Sequence, residues 1–392
     1  MRIAINGAGV AGPALAYWLK RFGHEPVLFE KAPALRTGGY VIDFWGLGYE
    51  LAERMGILEG LVERGYAMQR MKMVDAEGRE VARMEVEPIR ESLRGRFISV
   101  ARSDVAAALV AACRDVPVQF GTSIVGFQED PDGITAALSD GRHERFDLVV
   151  GADGLHSRVR AVGFGEDPRH ERPLGCHVAA FRLEHYPHQD ELTYVSHTAP
   201  KRQVARMTLR DGQTLVLLIC RSELLAAESV GTNVKEALRR AFSGMGWEVP
   251  DILARMEGVD ELYFDAVSQI RLDTWSRGRV ALVGDAAACV SFLAGEGTGL
   301  AMIEAYVLAG ELHRAGGDWA RGLREYEARL RVFLRDKQRS ALQFRGFFVP
   351  RTGLGLALRN VLVNAFALPF VAKRLVGRSV RDDLELPAYE QN

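Results

Sequence analysis

Three glycines near the beginning of the chain, Gly7, Gly9 and Gly12, have the spacing of a phosphate-binding turn. An apolar segment at residues 3–5 precedes them, and a helical pattern at residues 13–22 follows. In such a unit the first glycine permits a tight turn, the second lets backbone amides approach a pyrophosphate, and the third allows close packing of helix on strand. The unpaired amides and positive dipole end of the helix favour phosphate. We therefore predict a dinucleotide site at this turn.

Three carboxylates each follow an apolar, strand-like segment. Glu30 comes roughly 20 residues after the glycines, where an acidic side chain accepts hydrogen bonds from an adenosine ribose. Asp153 stands between two glycines after residues 148–150, where both a turn or cap and a ligand contact agree with the pattern. Asp285 follows residues 279–283 and suits the hydroxyl groups of a ligand chain.

A second glycine-rich helix start lies at residues 295–299, ahead of an apolar helix that we expect to end at Leu312. Its amides suit a second anionic or electron-rich group. Arg102 comes directly before another predicted helix. Its position in the sequence is equally compatible with a side chain on the surface and with one that contacts an anion.

The loop at residues 31–46 contains Arg36, the pair Gly38-Gly39 and Asp43. Paired glycines followed by an apolar stretch are typical of a loop that passes close to a flat or bulky group. An ordinary connection to the next helix explains the same pattern. Both interpretations remain at this point.

The order of the elements predicts an α/β fold with three parts: a discontinuous Rossmann-like domain, a substrate domain with an antiparallel sheet, and a C-terminal helical tail. Their predicted limits are 1–67, 99–170 and 271–320 for the first, 68–98 and 171–270 for the second, and 321–392 for the third. Phe181, Tyr194 and Arg206 lie in the predicted antiparallel sheet. Each agrees with a pocket-lining role and with a packing or surface role.

Composition limits the class of protein. The chain has 392 residues, 48% of them hydrophobic and 26% charged, and a formal net charge of -1, which argues against a nucleic-acid partner. Its 4 cysteines form no CxxC pair, so we predict reduced thiols, a cytoplasmic location and no metal site. Arg351 and Arg359 interrupt the apolar residues 346–376, so we expect a helical tail packed on the body, with peripheral membrane contact as the alternative.

Residues 7–30, 151–154 and 284–285 together resemble the three motifs of the class A flavoprotein monooxygenases, the FAD-dependent aromatic hydroxylases. Residues 10–23 and 305–312 are similar to the tetracycline-inactivating branch. The resemblance implies FAD as cofactor, NADPH or NADH as reductant, and a monomer or weak dimer. The residues that it assigns to the cofactor are Gly7, Gly9, Val10, Ala11, Gly12, Glu30, Lys31, Arg36, Gly39, Asp43, Arg102, Asp153, Asp285, Gly295, Gly297, Thr298 and Gly299.

The implied activity is transfer of one oxygen atom, through a flavin hydroperoxide, to an aromatic or polycyclic small molecule such as a polyketide. Three alternatives remain: an NAD-dependent dehydrogenase, a flavoprotein oxidase or reductase without oxygen insertion, and a non-catalytic FAD-binding protein. The chain departs from the family pattern at Ala288, Phe292, Glu296 and Gly299. Glu296 is the most consequential, because a carboxylate beside a flavin alters its electrostatics. The sequence identifies no catalytic acid or base, since none of its 9 histidines stands in a motif.

Overall fold

This computed structural model describes residues 1–36, 39–187, 190–210, 212–225, 233–366 and 384–389. Its strands, in chain order, are β1 Arg2–Asn6, β2 Glu25–Glu30, β3 Val41–Trp45, β4 Arg70–Val74, β5 Glu80–Glu85, β6 Phe97–Ala101, β7 Val118–Phe120, β8 Ile124–Asp130, β9 Gly133–Leu138, β10 His143–Phe146, β11 Leu148–Gly151, β12 Glu171–Glu184, β13 Thr193–Ala199, β14 Arg202–Thr208, β15 Gln213–Arg221, β16 Tyr263–Ile270, β17 Ser276–Arg277 and β18 Val280–Leu282. Its α-helices are α1 Ala11–Arg21, α2 Gly46–Arg54, α3 Leu58–Arg64, α4 Glu87–Ser92, α5 Arg102–Ala112, α6 Arg158–Phe164, α7 Val234–Phe242, α8 Val249–Met256, α9 Asp285–Ala288, α10 Gly297–Arg314, α11 Trp319–Phe348 and α12 Gly353–Phe366.

The first sheet is built around β1 and has the order β17-β18-β11-β1-β2-β7. Strand β1 pairs in parallel with β2 on one side and with β11 on the other, and β18 pairs in parallel with β11. These short apolar strands are buried because helices cover the sheet, as parallel sheets require. The carboxyl ends of β1, β2, β11 and β18 therefore meet at one edge, where open α/β sheets bind ligands.

The second sheet has the order β16-β12-β15-β14-β13-β4-β5. Its strands pair antiparallel, as predicted, except that β13 and β4 run parallel. Because successive side chains alternate between faces, β12 presents Phe181 to one face and Ala180 to the other. Phe181 packs with residues of α7 and α8, so we call this face the helix-covered face. Ala180 packs with Met68 and Met207 and, at its margin, with Tyr40, so we call the opposite face the inner face.

Helix α10 lies at the centre of the molecule. It is apolar on nearly all sides and buried over most of its length, as expected for a helix enclosed by other elements. Helices α1, α2 and α11 pack against it. The C-terminal segment also reaches it, since a Cβ atom on Gly310 would lie 2.1 Å from the ring of Tyr389.

The predicted C-terminal tail is helical in α11 and α12, whereas residues 384–389 form no α-helix. Residues 367–383 and 390–392 lie outside the described residues. Helix α12 packs on β5 and β13 at the edge of the second sheet. None of the described helices has the length and apolar character needed to cross a bilayer. The predicted domain limits stay a prediction.

Candidate functional site

The turn between β1 and α1 has the geometry that its glycines predict. Gly7 has φ +113°, and a Cβ atom there would lie 2.5 Å from the carbonyl oxygen of Ala152. A Cβ atom on Gly12 would lie 1.9 Å from the carbonyl oxygen of Gly7. Both positions therefore require glycine for packing. Val10 and Ala11, which lead into α1, are buried, and no side chain caps the helix start.

Gly9 is different, because its side-chain position faces open space. The atom nearest to a Cβ built there is Nη2 of Arg102, at 3.8 Å. Arg102 is the first residue of α5, and its amide donates to the carbonyl oxygen of Tyr40 at 3.0 Å. An uncapped helix start, an open backbone and a guanidinium thus border one space, which fits a pyrophosphate.

Glu30 ends β2 beside this turn. Its carboxylate accepts hydrogen bonds from the amide of Ala8 at 2.8 Å and from that of Ala32 at 2.9 Å. These two bonds fix the carboxylate at the strand end, next to the glycine turn. Lys31 follows it and is exposed.

Asp153 acts as a structural cap. Its carboxylate accepts from the Ser157 hydroxyl, from the Arg158 amide at 2.8 Å and from Asn6 Nδ2 at 3.0 Å. Both carboxylate oxygens accept hydrogen bonds within the protein, so Asp153 caps α6, and its predicted cofactor contact stays a prediction. Arg160, which the sequence analysis missed, is buried and donates to the carbonyl oxygen of Ala286 at 3.1 Å.

Asp285 lies close to both glycine-rich helix starts. Gly284 precedes it with φ +66°, and a Cβ atom there would lie 3.0 Å from Cβ of Ala11 in α1. A Cβ atom on Gly297, the first residue of α10, would lie 3.8 Å from Oδ1 of Asp285. The half-buried Asp285 carboxylate thus stands between the starts of α1 and α10. The tertiary structure brings together segments that are far apart in the sequence.

The turn behind Asp285 is held by a buried glutamate that the sequence analysis also missed. Glu304 in α10 accepts a hydrogen bond from the amide of Gly284 at 2.8 Å. Burial raises the pKa of Glu304 to about 8, and the charge of Asp285 also raises it. The hydroxyl of Tyr326 lies 3.1 Å from the carbonyl oxygen of Leu282 and 3.3 Å from Oε2 of Glu304. Its single proton cannot serve both acceptors, so a protonated Glu304 that donates to Tyr326 agrees with the raised pKa.

The start of α10 is packed tightly against α2. A Cβ atom on Gly48 would lie 2.6 Å from Cα of Gly299. This contact requires glycine at position 48, whereas a Cβ atom on Gly299 would lie 3.7 Å from Cα of Gly48, an ordinary contact distance. The structure gives no reason for Gly299 where the resembled family has asparagine. Gly295 adopts the left-handed conformation with φ +70°, and Thr298 is buried. The helix start has no side-chain cap, so its amides are available to a ligand.

Glu296 does not bring an uncompensated charge to this helix start. Its Oε2 atom lies 3.0 Å from Nζ of Lys337 in α11, and both side chains are largely buried. The sequence analysis considered Glu296 without this partner. The ion pair makes the field at this helix start weaker than that of an isolated carboxylate, and the effect of Glu296 on a flavin stays a prediction.

The loop after β2 contributes Asp43, which lies in β3. Its Oδ1 atom accepts a hydrogen bond from the Ser99 hydroxyl at 2.6 Å. Asp43 lines a cleft together with Glu296 and Gly299. Desolvation by the surrounding protein raises the pKa of Asp43 above its ordinary value, and the hydrogen bond from Ser99 lowers it by a smaller amount. Part of the side chain remains exposed at the cleft.

The other predicted residues of this loop lie further out. Arg36 and Gly39 are exposed, and Gly39 has φ +119°. Gly38 lies outside the described residues. That Arg36, Gly38 and Gly39 lie close to a flat or bulky ligand therefore stays a prediction.

An aromatic cluster lies beside Arg102 and Asp285. The ring centroid of Tyr40 is 4.6 Å from that of Phe292 and 6.0 Å from that of Tyr263. Burial raises the pKa of Tyr40, with smaller electrostatic effects from Arg102 and Asp285, which places these charges close to it. The sequence analysis missed this cluster because its members come from three distant segments.

The three candidate substrate residues fall on different faces of the second sheet. Tyr194 lies on the inner face, packed near Met207. Phe181 and Arg206 lie on the helix-covered face, where Arg206 pairs with Glu248 at 2.6 Å. We therefore correct the prediction for Phe181 and Arg206, because helices α7 and α8 cover their face and the sheet itself separates that face from the aromatic cluster.

Comparisons with known proteins agree with this geometry. A family model described as an FAD binding domain matches residues 1–335. A flavin-dependent monooxygenase from an unknown prokaryotic organism is 33% identical over 393 residues, covering 100% of this chain and 99% of that protein. A flavin-dependent monooxygenase from Legionella longbeachae is 32% identical, with the same coverage.

Solved structures give the same result. The crystal structure of the tetracycline destructase Tet(51) has a TM-score of 0.83 and 30% identity, covering 99% of each chain. Klebsiella pneumoniae HpxO, complexed with FAD and uric acid, has a TM-score of 0.81 at 24% identity and covers 98% of each chain, a likeness that shows the fold alone. The glycine turn and Glu30 follow β1 and β2 at the carboxyl-end edge of the first sheet, Asp285 follows β18 there, and Arg102 reaches Gly9. On this evidence the chain belongs to the FAD-binding family of class A flavoprotein monooxygenases and is an FAD-dependent oxidoreductase.

Proposed function

We propose that this enzyme consumes NADPH or NADH and hydroxylates an aromatic or polycyclic small molecule on the inner face of its second sheet. The observation that carries the proposal is the aromatic cluster of Tyr40, Tyr263 and Phe292 beside Arg102 and Asp285. Aromatic walls favour flat ring systems. The likeness to a tetracycline destructase supports a polycyclic substrate.

In this proposal the cofactor lies along the edge of the first sheet. Gly9 and Arg102 would hold the pyrophosphate, Glu30 would accept from the adenosine ribose, and Asp285 would accept from the ribityl chain. When bound, FAD supplies the redox chemistry and the activation of oxygen. The chain binds and orients the reactants and excludes water.

The start of α10 provides the electrostatic part of the mechanism. Its free amides and positive dipole end stabilise negative charge on an electron-rich ring nearby. The ion pair between Glu296 and Lys337 keeps the carboxylate beside this helix start compensated. The positive end of the helix therefore acts without an opposing net charge.

We further propose that the protein acts in the cytoplasm as a monomer or weak dimer. The 4 cysteines are free and buried, which supports a reducing compartment. Either nicotinamide agrees with the residues present. Anaerobic mixing of the holoenzyme with NADPH and with NADH, followed by loss of oxidised flavin absorbance, identifies the reductant.

A screen of polycyclic phenols tests the proposed activity. We expect at least one compound to accelerate NAD(P)H consumption and to yield, in stoichiometric amount, a product heavier by one oxygen atom. Accelerated consumption that produces only hydrogen peroxide would instead indicate an oxidase. A protein that binds no FAD would contradict the whole assignment.

A further inference from the structure

Helix α12 turns large apolar side chains towards the outside of the molecule. Leu354, Leu358, Val361 and Leu362 are exposed by 83%, 59%, 65% and 53%. Their spacing along the helix places them on one face, over a length of about 12 Å. We call these four side chains the α12 stripe. Exposed apolar side chains that stand together on one element indicate an interaction surface.

The polar side chains of the same helix face the protein. Arg359 is 5% exposed, and its Nη1 donates to Oγ1 of Thr198 in β13 at 3.0 Å. Asn364 Nδ2 donates to the carbonyl oxygen of Val81 at 3.1 Å, and Oδ1 accepts from the amide of Arg83 at 3.2 Å. A helix on a protein surface normally has the opposite arrangement. Because these hydrogen bonds fix α12 on the second sheet, the helix cannot rotate to bury the stripe.

The sequence around α12 has an unusual charge distribution. Residues 337–381 contain 9 lysines and arginines and no aspartate or glutamate. The whole chain has nearly equal numbers of basic and acidic residues, 50 and 51. The stripe therefore lies within a segment that is locally cationic in a chain that is nearly neutral. Four of these cations, at positions 373–381, lie outside the described residues, contribute only their charge and form no part of the stripe.

Arg351 is the cation of this segment that lies beside the stripe and is exposed. It comes two residues before the start of α12. Glu223 lies within electrostatic range of Arg351 but pairs with Lys201 at 2.8 Å. The charge of Arg351 is thus available to a negatively charged partner next to the apolar stripe.

An apolar stripe next to positive charge fits the surface of a bilayer that contains anionic lipid. Apolar side chains enter the boundary between headgroups and acyl chains, and cations attract the anionic headgroups. A second copy of this chain fits less well, because a symmetric interface would bring the same cationic segments together. A protein partner must be apolar and acidic at one place, whereas a bilayer surface always combines the two properties.

We propose that α12 docks this protein on the surface of a membrane that contains anionic phospholipid. Leu354, Leu358, Val361 and Leu362 insert at the headgroup boundary, and Arg351 lies among the headgroups. The proposal goes beyond the proposed function, since it concerns attachment and not catalysis. Vesicle binding by the purified protein measures it without any substrate.

Co-sedimentation of the full-length holoenzyme with vesicles tests the proposal. One set of vesicles is phosphatidylcholine alone, and the other contains about one-third phosphatidylglycerol. We expect affinity for the anionic vesicles to be on the order of tenfold higher and to fall as salt concentration rises, because salt screens the attraction.

L358E places a charge within the stripe. We expect it to lower affinity for the anionic vesicles at least about tenfold, because it removes a buried leucine and adds a repelled carboxylate. R351Q should lower the affinity by about fivefold, the effect of one cation near the surface.

V332E is the matched control for L358E. Val332 is 69% exposed on α11, so V332E makes the same change of charge at an exposed apolar position outside the stripe. It should retain vesicle binding. FAD content and melting temperature should be unchanged in L358E and V332E, because both side chains are exposed and make little contact with the core.

Three results would overturn the proposal. The wild type may bind anionic vesicles no better than neutral ones, or L358E may bind them as tightly as the wild type does. In the third, sedimentation velocity shows that L358E dissociates a dimer while the wild type does not bind vesicles, which would make the stripe an interface between copies of this chain.

Discussion

At the residue scale, glycines of one motif have separate tasks. Gly12 is required by packing, because a Cβ atom there would overlap the carbonyl oxygen of Gly7. Gly9 has no such neighbour, since its nearest contact would be Arg102 at 3.8 Å. We therefore expect glycine at position 9 to be required for ligand binding and not for folding.

This difference predicts opposite behaviour of two alanine variants. G9A should keep the melting temperature of the apoprotein but lose FAD affinity, on the order of tenfold, because the added methyl group occupies the space of the pyrophosphate. G12A should lower the apoprotein melting temperature itself. Thermal unfolding of the apoproteins and fluorescence titration with FAD measure both effects. An apoprotein destabilised equally by both substitutions would refute the distinction.

Glu304 is a buried acid that supports the site by accepting a hydrogen bond from the backbone amide of Gly284. Its pKa is raised from 4.5 to about 8 by burial, so the unfolded chain releases the proton at a lower pH than the folded protein does. Between these two values unfolding releases a proton. The stability contributed by the protonated side chain is therefore complete below about pH 4.5 and is lost as the pH rises to about 8.

We expect E304Q to remove this dependence, because an amide does not titrate in this range. Relative to E304Q, the wild type should lose at most about 1.4 kcal/mol of unfolding free energy per pH unit within that window. Urea denaturation of both proteins between pH 5 and pH 8 provides the measurement. Parallel curves for the two proteins would show that Glu304 is ionised in the folded state.

At the element scale, the start of α10 depends on α11. Lys337 reaches Glu296 from the neighbouring helix, and both charges lie next to the free amides of α10. An isolated carboxylate in this position would oppose the helix dipole. The ion pair lets the chain keep an acidic residue there without that effect.

Removing one partner at a time should shift the reduction potential of bound FAD in opposite directions. K337M leaves a negative charge and should lower the potential, whereas E296Q leaves a positive charge and should raise it. We expect shifts on the order of 30 mV, equivalent to about 1.4 kcal/mol for a two-electron couple. Equilibration with a reference dye measures the potential, and R339Q serves as the control because Arg339 is exposed on the same helix. Shifts of the same sign would contradict the compensating role.

At the scale of the whole molecule, residues 387–389 pack against the central helix α10. Tyr389 packs against Gly310 with no room for a Cβ atom, and its hydroxyl donates to Glu311 at 2.5 Å. Tyr306 of the same helix donates to the carbonyl oxygen of Pro387 at 2.7 Å. These contacts therefore anchor residues 387–389 to α10.

G310A should displace Tyr389 and lower the melting temperature more than Y389F does, because Y389F removes only one hydrogen bond. For Y389F we expect a loss of about 1–3 kcal/mol, since the bond is to a buried carboxylate. Calorimetry measures the melting temperatures of the G310A, Y389F and wild-type holoenzymes. An unchanged melting temperature in G310A would show that the segment is not anchored at Gly310.

Motifs that act through the local backbone could be predicted from the sequence. Gly7 and Gly12 were identified because a turn between strand and helix restricts the chain over a few residues. Asp153 could not be assigned in the same way, since the donors that occupy its carboxylate include Asn6 from a distant strand. For Phe181 and Arg206, alternation along the strand predicts two faces but not which face helices α7 and α8 cover.

By itself, the sequence predicted a dinucleotide site at the first turn and placed Glu30 and Asp285 after strands, because local spacing controls both. Only the tertiary structure decided which partners the buried charges have. Lys337 compensates Glu296, Tyr326 contacts Glu304, and Arg359 has only neutral acceptors among the described residues. Electrostatic interactions depend on distance in space and on burial, and neither follows from separation along the chain.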